Sequence, residues 1–223
     1  MISLHSQVLS ELNSLFFYGV YGFIFCYTCY RSPWHKLIAN LGLQHLCFGA
    51  TVLLMIIWSI KADINEAVSI HFLGMTALTL VLGWDLAIVC ASVALAALTF
   101  FHGGNWSNFA ANGVITILIP VIVAQVVSFW VNRQLPKNFF IYLFCCGFFC
   151  AGLTAVMVGL GVSFTLWVND IYPWLKIEQD IMTIIVLTIF PEGLLNGMLL
   201  TAIMVFYPDW IRSFDAKKYI DDQ

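Results

Sequence analysis

The sequence predicts an all-α, polytopic membrane protein with about seven transmembrane helices, its N-terminus outside and its C-terminus in the cytoplasm. Three observations carry that reading. Of 223 residues, 61% are hydrophobic and only 9% are charged, where an ordinary soluble domain carries roughly 25% charged residues. The apolar residues fall into long runs, each close to the ~20 residues that cross a hydrocarbon core. The nine Lys and Arg residues are shared unevenly between alternate loops. A net charge of −3 leaves no basic stripe to meet phosphates, so a nucleic-acid partner is excluded.

Taken in order, the helices are expected at 8–30, 38–60, 66–82, 85–101, 111–132, 139–168 and 180–207. The third and fourth are short and joined tightly at Gly83-Trp84-Asp85, which also fits a buried hairpin. The fifth follows the loop FHGGNWSNFAANG, whose glycines and asparagines suit backbone exposed to a cavity at membrane depth. The sixth carries Gly147, Gly152, Gly159 and Gly161, a pattern for close helix packing. The seventh holds Pro191, Glu192 and a Gly193-x-x-x-Gly197 spacing. No linker or soluble domain fits, so residues 1–223 read as one integral membrane domain with a core at 8–207 and a cytoplasmic tail at 208–223. The N-terminal segment lacks a basic region and a small-residue cleavage site, so no processing is expected.

The basic residues orient this arrangement. Arg31, Lys36, Arg133, Lys137, Arg212, Lys217 and Lys218 fall on one side, and only Lys61 and Lys176 on the other. The positive-inside rule assigns the richer side to the cytoplasm. His5, His71 and His102 then lie on the outer side, with Asp63, Glu66, Asp170, Glu178 and Asp180, a surface that attracts cations. His35 lies in a cytoplasmic loop.

His71 opens the run HFLGMTALTLVLG, and an imidazole at the mouth of a membrane helix is costly to desolvate without a purpose. Imidazole is a preferred ligand for nickel, cobalt, copper and zinc. His71 is therefore a candidate ligand for a divalent transition metal, and His5, Glu66 and His102 are candidates to complete the site. Loop histidines and carboxylates that are merely solvated are the alternative for His5 and His102. Glu192 is an isolated carboxylate at bilayer depth, with Asn196 one turn away on the same face. The pair reads as a clamp that locks helix packing or as a lining of the substrate path. His45, within the inner half of the second helix, is expected to be a satisfied core histidine. All seven cysteines fall in predicted spans, and Cys26-x-x-Cys29 and Cys146-x-x-x-Cys150 suit a soft-metal path less well than they suit burial as small apolar groups.

Motifs for other chemistry are absent. There is no phosphate loop, no H-E-x-x-H and no G-x-S-x-G, so an enzyme is not expected.

The segments HFLGMTALTLVLG, FFHGGNWSNFAANG and PEGLLNGMLLTAI resemble, in order and spacing, the CbiM/NikM-type substrate-capture components of cobalt and nickel energy-coupling-factor transporters. The resemblance spans about residues 40–207, and RQLPKNFFIYLF, FPEGLLNGML and FDAKKYI are similar to a bacterial subgroup of that family. It implies seven helices, an outward N-terminus and a site in the bacterial cytoplasmic membrane. In that family the metal is held by the N-terminal amine, a histidine directly after the first methionine, and the histidine matching His71. This chain reads Met-Ile-Ser-Leu-His, so its first histidine is His5 and the same chelate rings do not form. Trp58-Ser59-Ile60-Lys61 stands where the family carries amide side chains, and Lys61 near a divalent site opposes binding.

The resemblance implies capture of cobalt or nickel from the periplasmic side, with copper or zinc as further candidates. It also implies a coupling transmembrane subunit and cytoplasmic ATPases as partners. A membrane-embedded metal-binding or assembly protein without ATPase-coupled transport is the alternative.

Overall fold

A computed structural model describes residues 2–4, 10–63, 68–103 and 106–214. In chain order these form β1 (Ile2–Leu4), α1 (Glu11–Arg31), α2 (Trp34–Ala39), α3 (Leu41–Ser59), β2 (Ala62–Asp63), β3 (Val68–Ile70), α4 (Met75–Leu82) and α5 (Trp84–Phe101). Three longer helices follow, α6 (Phe109–Gln134), α7 (Phe139–Val168) and α8 (Trp174–Phe206). Each of these three contains a π-helical stretch, at Gly113–Leu118, Leu143–Phe149 and Ile177–Ile181.

Among the described residues, six helices, α1, α3, α5, α6, α7 and α8, are long and apolar enough to cross a membrane. The shortest has 18 residues, about 27 Å at 1.5 Å per residue. Large apolar side chains such as Phe16, Phe23, Phe129, Phe164, Leu187 and Val205 point outward. A lipid-facing surface needs no polar cover, because the surrounding solvent is itself hydrocarbon.

The expected third span over 66–82 needs correction: among its described residues only Met75–Leu82 is helical. Val68–Ile70 is instead the central strand of a three-stranded antiparallel sheet ordered β1-β3-β2, with Ile2 opposite Ile70 and Leu4 opposite Val68. β-branched Val68 and Ile70 favour that extended backbone. Gly74 then adopts φ +67, a left-handed conformation that an L side chain resists, and α4 begins only after it. At eight residues α4 is about 12 Å long, and every one of its residues is buried. It runs from the end of the bundle carrying the sheet toward the end carrying Arg212, whose backbone N–H reaches Val81.

The long helices close around α4 through small residues. A Cβ on Gly193 would lie 3.0 Å from the Phe148 carbonyl oxygen, and one on Gly197 would lie 3.1 Å from the Phe148 ring. Gly147 and Gly159 make the reciprocal approach, against Leu200 and Ile185 of α8. Glycine is needed here because dispersion contact, not water exclusion, drives helices together in lipid. On the opposite flank the ring of Tyr21 lies over Gly113, and its hydroxyl pairs with Ser92 at 2.7 Å.

This seam makes a direct prediction. A Cβ at Gly159 meets buried Ile185 at 2.3 Å, so Gly159→Ala destabilises the bundle by about 1–3 kcal/mol through overpacking. Gly19 has nothing within 4 Å of its Cβ position, so Gly19→Ala serves as the neutral control. Thermal unfolding of the two variants in detergent separates them, and equal melting points would show that the seam yields freely.

Candidate functional site

Both ends of α4 are buried in a medium without water, so its terminal N–H and C=O groups need protein partners. At the N-terminus the partner is Glu192, 2% exposed, projecting from α8. One carboxylate oxygen accepts the Leu73 N–H at 3.0 Å, and the other accepts the Gly74 N–H at 3.0 Å. Asn196, one turn further along α8, accepts the Ala77 N–H at 2.9 Å. The Asn196 amide donates back to the Glu192 carboxylate at 2.8 Å and to the Glu192 carbonyl at 2.9 Å. A carboxylate suits this position because a helix N-terminus carries partial positive charge.

The C-terminus of α4 is closed by the segment that follows α8. The Ser213 N–H and hydroxyl both donate to the Leu80 carbonyl, and the Arg212 N–H donates to the Val81 carbonyl. The Arg212 guanidinium donates to the Leu82 carbonyl at 3.2 Å and to buried Asp85 at 2.5 Å. Tyr142 of α7 pairs with the Ser213 hydroxyl at 2.6 Å and steadies the strap.

The candidate ligand His71 sits two residues before Leu73, between β3 and α4, and is 9% exposed. Its Nδ1 lies 3.0 Å from the Phe72 carbonyl, which fixes the ring orientation. Trp58 packs on its ring with centroids 5.8 Å apart, and the Trp58 indole N–H donates to the Leu73 carbonyl at 3.0 Å. Burial pushes the His71 imidazole down to about 4, with the Lys61 charge adding to the effect and the Phe72 hydrogen bond opposing it. The ring is therefore neutral, the form in which imidazole binds a metal.

A cavity of about 350 Å³ opens beside it. His71 and His102 both line this cavity, with Lys61, Asn108, Asn112, Thr99 and Thr116. The fold brings His71 and His102, expected on the outer side, to one cavity. His102 ends α5 and is exposed, with its Nδ1 2.8 Å from the Leu98 carbonyl. His5 and Glu66 lie outside the described residues. Among the described residues, no three His, Cys, Asp or Glu side chains come together as a metal cage.

Two residues depart from expectation or were missed. His45 is not a core histidine: it faces outward from the first turns of α3, beside an apolar groove that includes Leu78, Ile203 and Trp210. It lies one turn from the helix start at Leu41 and is exposed, so it needs no buried partner. Asn112 was not singled out. Its side chain accepts the Leu4 N–H and donates to the Leu4 carbonyl, both at 3.0 Å, so it substitutes for a strand partner and ties β1 to the cavity. The loop FHGGNWSNFAANG suits exposed backbone, and the cavity is lined instead by side chains of its asparagines, Asn108 and Asn112.

Among the described residues, six apolar spans around a fully buried short helix, with an imidazole-lined cavity at one end, define a multi-pass membrane protein. The CbiM family model, described as the cobalt uptake substrate-specific transmembrane region, matches residues 4–210, and the chain belongs to that family. Searches of curated proteins and of solved structures found no match. Membership makes the chain a transmembrane component of cobalt uptake, in a transporter family and not an enzyme family, and places it in the bacterial inner membrane.

Two outcomes follow from this geometry. Arg212→Ala leaves the buried Asp85 carboxylate and the Leu82 carbonyl without their partner, a loss on the order of 1–3 kcal/mol that lowers the melting temperature. A second concerns acid. Because the folded protein holds His71 at about 4 and the unfolded chain at about 6.5, the unfolded state takes the proton first. The stability contributed by neutral His71 is complete above pH 6.5 and is lost as pH falls toward 4. Melting curves across that window should show the fall in wild type and a shallower one in His71→Gln.

Proposed function

We propose that this chain captures Co²⁺ from the periplasmic side of the inner membrane and holds it through His71, with His102 across the same cavity. The observation that carries the reading is the pairing of a buried, neutral imidazole with a second imidazole in one cavity of a cobalt-uptake family member. Two imidazoles leave coordination positions for His5, Glu66, water or the cavity amides. Nickel shares the preference for imidazole nitrogen, and it is the second substrate under this proposal. The basic residues favour the same orientation, because Lys36 and Arg212 border a cavity at the end of the bundle away from His71. A coupling transmembrane subunit and cytoplasmic ATPases would drive release, since the chain itself carries no phosphate loop.

Lys61 lines the cavity and works against a divalent cation. Its charge sets an affinity weak enough for release, which uptake requires. Isothermal titration of the purified protein with Co²⁺ tests the assignment. One ion per chain is expected, with at least tenfold weaker binding in His71→Ala. Lys61→Met is expected to bind tighter, by about 1 kcal/mol for removal of a partly exposed like charge. Equal titration of wild type and His71→Ala would remove His71 from the site. Co-purification of an ATPase module with the tagged chain tests the coupling.

A further inference from the structure

We propose that Glu192 is the positioning residue for His71, acting through the backbone amides of Leu73 and Gly74. The proposal rests on the assignment of His71 as the substrate ligand. Glu192 is absent from the walls of the cavity shared by His71 and His102; it lines, with His71 and Lys61, a separate pocket of about 360 Å³, and both of its oxygens are engaged by backbone amides. It holds instead the short backbone from which His71 projects. Its two oxygens take the Leu73 and Gly74 N–H groups at 3.0 Å each. The Leu73 carbonyl is held from the other side by the Trp58 indole, and Trp58 packs on the His71 ring. Only Phe72 separates the two, and its carbonyl is the partner of His71 Nδ1. Ring, carbonyl and capped amides therefore form one short rigid unit, anchored to α8 by a single carboxylate.

Gly74 shows why the anchor is needed. Its φ of +67 makes the turn into α4, and at that turn the Leu73 and Gly74 N–H groups both donate to α8. Without an acceptor for both, that turn has no reason to persist in a water-free interior. A glutamine in place of Glu192 keeps the shape but offers one acceptor and presents an NH₂ group to the second N–H.

The test contrasts two caps on the same helix. Arg212→Ala opens the far end of α4, where the guanidinium serves the Leu82 carbonyl and Asp85, whereas Glu192→Gln disturbs the two amides nearest to His71. Both variants are expected to melt at lower temperature. Only Glu192→Gln is expected to bind Co²⁺ at least tenfold more weakly. Wild-type affinity in Glu192→Gln would overturn the proposal, as would equal weakening in both variants. Linkage supplies a second measurement that needs no folded variant at position 192, because coupling between a bound ion and the cap is reciprocal. Co²⁺ is expected to slow hydrogen exchange at the Leu73 and Gly74 amides of wild type at least tenfold, and not in His71→Ala. Unchanged exchange in protein that titrates with Co²⁺ would sink the positioning role while leaving His71 as ligand. Equal binding by wild type and His71→Ala would instead remove the ligand assignment itself.

Discussion

The structure depends on finding partners for the ends of one short helix inside a medium that offers none. α4 has eight residues, all buried, and the groups at its ends would each cost about 1–3 kcal/mol if left bare. α8 and the strap after it supply the acceptors for Leu73, Gly74 and Ala77 and the donors for Leu80, Val81 and Leu82. Thr79 alone among the last carbonyls is served locally, by the Gly83 N–H. The surrounding helices are arranged so that this service is possible. The glycine seam lets α8 lie against α7 at backbone distance, which carries Glu192 and Asn196 inward to the mouth of α4.

The same arrangement sets the electrostatics at the two ends of the bundle. Glu192 is a buried carboxylate whose counter-charge is the partial positive end of a helix and whose hydrogen bonds are all to amide groups. Asp85 is a buried carboxylate balanced by a half-exposed guanidinium. The cavity beside His71 is different in kind. Among the described residues it gathers imidazole, carboxamide and hydroxyl groups together with the ammonium of Lys61.

Much of this was legible in the sequence, and the exceptions have physical causes. Hydropathy located α1, α3, α5, α6, α7 and α8 to within a few residues, except that α8 begins at Trp174, ahead of the expected start at 180, because long apolar runs have one solution in lipid. The isolated charge at Glu192 and the amide a turn away were visible as a pair in need of a partner. Their partner was not visible, because helix capping by a residue 118 positions away in sequence leaves no local trace. The apolar run after His71 looked like a whole span, because extended and helical buried segments have the same composition. Only Gly74 marked the break. His45 misled for a related reason: periodicity does not say which face of α3 meets lipid when nearly every face is apolar.

The double capping of α4 from one region also bears on how the protein is made. Residues 75–82 leave the ribosome long before Glu192 and Arg212 are synthesised, so the helix has no stable seat in the bilayer at that stage. Insertion of the earlier helices must leave this segment waiting, at the interface or loosely packed, until α8 enters beside it. The protein is then completed by a late closing step, and any chain interrupted before residue 192 is a membrane-bound bundle with an unfilled centre.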